Sequence, residues 1–433
     1  MEQARPAAAG NDDLPELTLV VETALGVFVR SVPAALPLPE GVDQGTGAEM
    51  AAHRAAATWG LPDFVCHSAI KRVSSGQREL GDRMLLTGSR GVVVQVKSRE
   101  GAYKDDASER NWLRNRGAKA ARQAKGTVRS LRSAPAEFEN GRGQTLTVDG
   151  NDYQWIGVVV LDHDRIPDDT VVDCALPGLP CVALARRDWD FLFDQLRSTT
   201  AVVNYLFRVA NMDSVALGDE PVRYYDLAAA DADAPPGEIS PEVAELGGIH
   251  FSVPLLPQAP VGSDRAHRVM RLILEDIAIS PLGQHMSEAN RLLLLSEVDE
   301  LPVGARAEWG QLLLDMLREV RQVPPSHCKW RWRRSIAPSG TRQMIFGCAT
   351  RFGPDIQAAF QSYVLLRHHE LHQQTGLADQ TATLGVLLTP RTDGTRPWDT
   401  TLLRTEGDNQ LTPEEVKQYS ALWNRQRTDA AGT

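Results

Sequence analysis

Along the chain, apolar residues recur with two periods, and each period predicts a different element. LTLVVETALGVFVRSV (17–32) reads as strand, turn and strand, and FVCHSAIKRV (64–73) as a strand. AEMAAHRAAATWG (48–60) has helical spacing and ends at Gly60 and Pro62, a helix stop. RMLLTGSRGVVVQVK (83–97) predicts a hairpin centred on Ser89–Arg90 with Gly88 and Gly91 as its flanks. That centre sets Asp82 opposite Lys97 and Met84 opposite Gln95. A long polar helix is predicted from Ala107 to Leu131, buried strands at 153–162 and 179–186, and one helix over 188–210 with Asp188 as its N-cap. DLAAADADAPPGEISPE (226–242), rich in Ala, Asp, Pro and Gly, reads as a linker.

Beyond the linker the pattern predicts helices near 263–278, 287–297 and 305–321, strands near 328–336 and 342–350, a helix near 354–374 and a strand over 382–389. A final helix starts at Thr412, where Pro413 and Glu415 make a capping-box signature. Residues 1–13 are polar and Ala-rich and read as frayed. We therefore expect a first domain over 1–230 and a linker over 226–243. An α+β domain whose role the residues do not name would occupy 244–433.

Composition narrows the classes. The 433 residues are 42% hydrophobic, enough for sizeable cores. The longest apolar runs, such as IGVVVL (156–161), are strand-length, and the N-terminus carries no basic-then-apolar leader, so neither a membrane span nor a secretory signal is expected. Five cysteines without a CxxC pair predict reduced thiols and a cytoplasmic chain. The formal net charge of −10 argues against a surface that coats nucleic acid throughout, but it leaves room for a local basic patch. Residues 97–132 are such a patch, with eleven basic residues against four acids. Lys104, Arg114, Arg116, Lys119, Arg122 and Lys125 are its candidate nucleic-acid contacts. The competing reading is an amphipathic helix with Trp112, Leu113, Ala120 and Val128 inward and its charges solvated.

The hairpin carries the candidate chemistry. Side chains alternate along a strand, so Asp82, Gln95 and Lys97 are predicted to share one face, while Leu85, Val92, Val94 and Val96 make the apolar other face. A buried polar set is costly unless its members pair or bind a ligand. A carboxylate, an amide oxygen and an ammonium suit a hard divalent cation and a water. Asp82 and Gln95 would ligate Mg²⁺ or Mn²⁺, Glu79 would add a second carboxylate, and Lys97 would orient the attacking water or stabilise charge on a phosphate. The alternative is a surface-facing Gln and Lys on an edge strand.

In these residues the chain resembles the PD-(D/E)XK nuclease superfamily, the restriction-endonuclease-like fold. Gly81-Asp82 stands where that family has Pro-Asp, and Gln95-Val96-Lys97 stands for its acid-x-Lys, a variant that resembles Mrr-like members. The resemblance covers roughly residues 48–210. It implies an α/β domain with a mixed central sheet flanked by helices, and a Mg²⁺-dependent endonuclease acting on DNA in restriction or anti-phage defence. It also implies a residue returned to the site by the following helix, which Gln123 and Lys119 match, and a homo-oligomer or a partner in a defence system. The alternative function is a non-catalytic nucleic-acid-binding or scaffold protein that keeps the fold, for which glutamine in place of an acid is the argument.

Other clusters carry less. His368 and His372 lie at i, i+4 but lack the HExxH order, and read as a solvated helix end rather than a zinc hydrolase. His327, Cys328 and Cys348 have no regular zinc spacing. CKWRWRRS (328–335) alternates Lys329, Arg331 and Arg333 with Trp330, Trp332 and Arg334, either a stacking surface for nucleic acid or core tryptophans beside snorkelling arginines. Asp162 and Asp164 follow a strand and lie either near the metal site or in an Asp-rich turn.

Overall fold

A computed structural model describes residues 17–23, 26–67, 70–73, 76–79, 83–233, 255, 264–281, 287–324, 327–336, 341–376, 381–391, 393 and 396–430. The chain divides into two compact units. The first takes residues 1–247, 254–263 and 277–306, and the second takes 248–253, 264–276 and 307–433.

The first unit is mixed α/β. A ribbon of β1 (Leu17–Thr23) and β2 (Gly26–Val32) precedes α1 (Gln44–Trp59). Then come β3 (Val65–His67), a second ribbon of β4 (Ile70–Val73) and β5 (Gly76–Glu79), β6 (Arg83–Thr87), β7 (Arg90–Ser98) and α2 (Asp106–Ser133). β8 (Ala136–Asn140), β9 (Thr145–Val148), β10 (Gln154–Asp162) and β11 (Cys181–Ala185) complete the sheet strands. α3 (Arg186–Leu196), α4 (Thr199–Val209) and α5 (Glu220–Asp233) follow. The seven-stranded sheet has the order β11-β10-β7-β6-β3-β8-β9. β7, β10 and β11 are parallel; β6, β3, β8 and β9 are each antiparallel to the strand before them in that order.

Both faces of the central strands are buried, as parallel strands require. Val92, Val94 and Val96 join Ile156, Val158 and Val160 under Ala48, Ala52 and Ala56 of α1 and the aromatic residues of α3 and α5. Val159 and Leu161 face the other way, against Leu113, Ala120 and Ala121 of α2. β7 is therefore a central strand, not the edge strand of the alternative reading.

The hairpin register differs from the expected one. β6 and β7 pair Thr87 with Arg90, Leu85 with Val92, Met84 with Val93 and Arg83 with Val94. The turn is Gly88-Ser89, because Gly88 sits at φ +54, a conformation glycine adopts without strain at the first position of a two-residue turn. Gly91 does a different job. A Cβ there would lie 2.4 Å from the Trp155 ring, so it stays within β7 to let that ring cross. The slip is two residues, which keeps the described side chains of β6 and β7 on their expected faces.

Three further expectations are corrected. The helix expected over 188–210 is two helices, broken at Arg197 (φ +52), with Ser198 capping α4 through Ala201 N (3.0 Å). The N-cap is Ala185 rather than Asp188, which is the third residue of α3 and accepts from Ala185 N (3.0 Å) and Gly218 N (2.8 Å). The linker does not begin at 226, since α5 continues to Asp233 with Ala228 buried; the rest of its span lies outside the described residues.

The first unit also includes residues the sequence assigned to the second domain. α7 (Glu288–Asp299), within residues 277–306, ends at a carboxylate that accepts from Thr200 N (2.8 Å) and Ser198 Oγ (2.9 Å) and pairs with Arg306 (2.5 Å). Asp299 thus supplies the anion at the N-terminus of α4 from about a hundred residues away.

In the second unit, α6 (Asp264–Ile279) contributes its residues 264–276 and α8 (Val303–Arg321) its residues 307–321. β12 (Trp330–Ile336), β13 (Arg342–Ala349), α9 (Pro354–Thr375), β14 (Ala382–Pro390), β15 (Trp398–Glu406) and α10 (Pro413–Ala430) follow. The sheet order is β12-β13-β14-β15, with β13 and β14 parallel and joined through α9. Ile345 and Ala349 pack on Ile356, Phe360 and Val364 of α9. Phe346 faces Trp309 (4.8 Å between rings), and Cys348 lies against Leu313 of α8. Trp332 stacks on Phe360 at 5.3 Å, so the tryptophans of β12 serve the core, while Lys329 and Arg331 pair with Glu319.

Asp299→Ala removes the acceptor of Thr200 N and the carboxylate partner of buried Arg306, which keeps only the carbonyl oxygens of Arg197 and residue 299. The urea midpoint should fall by the equivalent of about 3 kcal/mol. A change under about 0.5 kcal/mol would mean that Asp299 does not hold α4 in place.

Candidate functional site

On β7, Gln95 is 2% exposed and Lys97 is half-buried. Their parallel neighbours are Val159 and Leu161 on β10, so both point to the face that α2 covers. Lys97 Nζ lies 3.4 Å from Gln95 Oε1, a long hydrogen bond in which the ammonium donates. A buried carboxamide oxygen needs such a partner, and here it is a cation. Of the expected trio, the structure brings these two together. Asp82 lies outside the described residues. Glu79 ends β5 opposite Ile70, in the small ribbon rather than the seven-stranded sheet, and its side chain lies outside the described residues.

α2 is 28 residues long because it must carry the chain back so that β10 can run parallel to β7. Asp105 caps it, accepting from Ser108 N (2.9 Å). Its inward stripe is Leu113, Gly117, Ala120, Ala121, Ala124 and Val128. Gln123 lies off this stripe and is exposed, as is Lys119, so neither is returned to Gln95 and Lys97; helical phase, fixed by the alanines, turns them outward.

The six expected nucleic-acid residues are not buried, and they divide by what they touch. Arg114 Nε donates to Val171 O (3.4 Å) and Lys125 Nζ to Pro177 O (2.7 Å), so both fasten the loop after β10. Arg116 lies over the Trp112 ring at 5.9 Å. Lys104 sits at the entry to α2, its backbone N–H given to Glu109 Oε1 (3.1 Å). Lys119 and Arg122 extend from the outward face.

No family model, curated protein or solved structure matches the chain.

Two polar clusters at the carboxyl ends of the parallel strands were not anticipated as clusters. Glu109, in the first turn of α2, is fully buried. It receives Arg99 through two bonds (Nε 2.8 Å, Nη2 3.1 Å) and His163 Nε2 (3.0 Å). Arg165 N donates to His163 Nδ1 (3.1 Å), so the proton of that imidazole is on Nε2 and is donated to Glu109. The Arg99 hydrogen bonds, opposed by burial and aided by His163, hold the Glu109 carboxyl down at about 2. On the opposite sheet face, Asp162 accepts from Ser98 Oγ (2.6 Å) and Arg186 Nε (2.7 Å). Asp162 follows Leu161, the neighbour of Lys97, so strand alternation turns its carboxylate away from Lys97. Asp162 therefore does not join the Gln95–Lys97 pair. The available signal for Glu109 was its place after the Asp105 cap, where an acid is favoured; nothing local pointed to His163 or Arg186.

His368 is buried, with Nδ1 bonded to Thr383 Oγ1 (2.8 Å) and Nε2 to Gly407 O (2.7 Å), so it is a satisfied core residue rather than part of a solvated helix end. Among the described residues, no group of three His, Cys, Asp or Glu side chains is placed to hold a metal ion, and no helix is long and apolar enough to cross a membrane.

Because the native carboxyl of Glu109 lies below its ordinary 4.5, its stabilisation is present above that pH and is lost as pH falls toward about 2. Glu109→Gln should lose about 3 kcal/mol at pH 7, with the gap to wild type narrowing between pH 4.5 and 2 in urea titrations. A gap independent of pH would show that the Arg99 and His163 contacts are not charge-assisted.

Proposed function

We propose that the first unit is a metal-dependent phosphodiesterase acting on DNA, of the restriction-endonuclease-like kind. The observation that carries this reading is the buried Gln95 oxygen facing the Lys97 ammonium on the central strand β7. The order of elements supports it: a helix (α1), three antiparallel strands (β3, β6, β7), a crossover helix (α2) and a parallel return strand (β10). The resemblance implies a mixed central sheet flanked by helices, and these elements are in keeping with that. The outward cations Arg116, Lys119 and Arg122 on α2 suit phosphate contacts.

The chemistry of the donors suits Mg²⁺ or Mn²⁺ in part. Gln95 Oε1 is a hard, neutral oxygen, and the anionic ligands would be Asp82 and Glu79. When bound, such a cation polarises a phosphate oxygen and acidifies a coordinated water. The residues of the chain itself do the rest. Lys97, half-buried and held toward Gln95, offers a fixed positive donor to a phosphate oxygen as charge builds on it. The surrounding Val159, Leu161 and Leu113 limit water on that face. Restriction or anti-phage defence, with a homo-oligomer or a defence partner, follows from the resemblance as the biological setting.

A specific observation favours a second reading: a neutral amide stands where the nuclease pattern has a carboxylate, which weakens the grip on a divalent cation. On that reading the unit binds nucleic acid without cutting it.

Plasmid and linear DNA incubated with Mg²⁺ or Mn²⁺ should be cleaved, and Lys97→Ala should slow cleavage by about 10²–10³-fold. Asp82→Ala should abolish it. Equal cleavage by all three proteins would remove the mechanism; tight DNA binding with no cleavage would favour the binding-only reading. Independently, Lys119→Glu with Arg122→Glu should weaken DNA binding and lower its salt slope by about one for each phosphate that the variant no longer neutralises. An unchanged slope would place the nucleic-acid surface elsewhere.

A further inference from the structure

The second unit contains a cavity of about 490 Å³ lined by α6, α8 and, at the entry to β15, Pro397 and Trp398. Four arginines line it, Arg265 and Arg268 from α6 and Arg318 and Arg321 from α8; among the described residues, no acidic side chain does. This is a concentrated positive site in a chain whose formal charge is −10.

The arginines are set on a rigid frame. α6 and α8 touch through Gly310, where a Cβ would lie 2.1 Å from Ala266 O, so the two helices pack closely with no side chain between them at that point. Arg321 is steadied by donating to Pro397 O (2.8 Å). Arg318 pairs with Asp315 at 2.8 Å in an exposed contact, which solvent screens and a ligand can displace. Arg265 and Arg268 are exposed and have no acidic partner among the described residues. Among these charges stands an apolar strip: Val269, Leu272, Leu314 and Leu317, with Leu272 43% exposed.

Positive forks around an apolar strip select a ligand with two ends. Guanidinium groups bind phosphate through paired N–H donors, and four of them exceed what a single carboxylate can neutralise. The volume falls in the range of small-molecule sites and is too small for a folded partner. We propose that this cavity binds a phosphate ester of mononucleotide size. Its phosphates lie between the α6 and α8 arginines, and its apolar body rests on Leu272 and its neighbours. The proposal stands apart from the nuclease reading, since it uses only residues of the second unit.

Equilibrium dialysis of the full chain in low salt with EDTA, using ATP, inorganic pyrophosphate and a 12-nucleotide single-stranded DNA, tests it. ATP should be retained with a Kd at or below about 100 μM, and pyrophosphate more weakly for lack of the apolar contact. Arg265→Glu with Arg268→Glu should weaken ATP binding at least about tenfold. Arg351→Glu, which reverses a charge on the same unit outside the cavity, should leave it within about twofold. Thermal melting followed by circular dichroism checks that the double variant folds; if it does not, Arg318→Glu takes its place with the same expected loss. The proposal is overturned if neither ATP nor pyrophosphate is retained at about 1 mM, or if the cavity variants bind ATP as wild type does. It is equally overturned if Arg351→Glu loses as much, or if the DNA alone is retained and the cavity variants abolish that retention.

Discussion

Burial of β7 on both faces is the constraint from which the first unit follows. With β10 on one side and β6 on the other, the strand has no edge, and with α1 above and α2 below it has no wet face. A polar side chain in such a strand must be answered by another. Gln95 is answered by Lys97, two residues on, which is half-buried. The candidate chemistry therefore sits at the boundary between core and solvent, on a strand fixed from every side.

The same constraint organises the ends of the parallel strands. β7, β10 and β11 finish together, and alternation sends their last polar residues to opposite sides. Ser98, Asp162 and Arg186 close one side; Arg99, Glu109 and His163 close the other and tie the first turn of α2 to the end of β7. Each carboxylate is matched by an arginine, so these sets hold the crossover in place rather than offer an open ligand position. α2 in turn approaches the sheet through glycine and alanine, which leaves its long cations only the outward face. Some of these fasten the loop after β10, and others, such as Lys119 and Arg122, are exposed.

The second unit is built by the same logic with different chemistry. Its sheet is covered by α9 on one face and α8 on the other, and the tryptophans of β12 extend the aromatic layer on the α9 side. The alternating aromatic and basic residues that suggest a stacking surface instead divide between core and solvent, as amphipathic strands do. Positive charge is concentrated elsewhere, where α6 and α8 meet.

Much of this was written in local pattern. The strands β7, β10 and β14 announced themselves by apolar runs, α2 and α9 by helical spacing, and the Thr412–Glu415 cap by its motif, which forms as expected (Glu415 N to Thr412 Oγ1, 3.3 Å). The faces of β7 were legible because period two survives a slip of two residues. The register itself was not, because two glycines looked alike; one is required by backbone conformation and the other by the Trp155 ring, which comes from β10. Chain order could not show that Asp299 caps α4, that His368 is buried against Thr383 and Gly407, or that Glu109 meets His163. These pairings join residues far apart in sequence whose local neighbours would permit either burial or exposure. By itself the sequence determined periodicity, some caps and the faces of the β7 side chains, because those depend on neighbours within a turn or a strand. Which polar groups meet, and which cations stay open to a ligand, was decided only when the sheets and their covering helices excluded water from some of them and not from others.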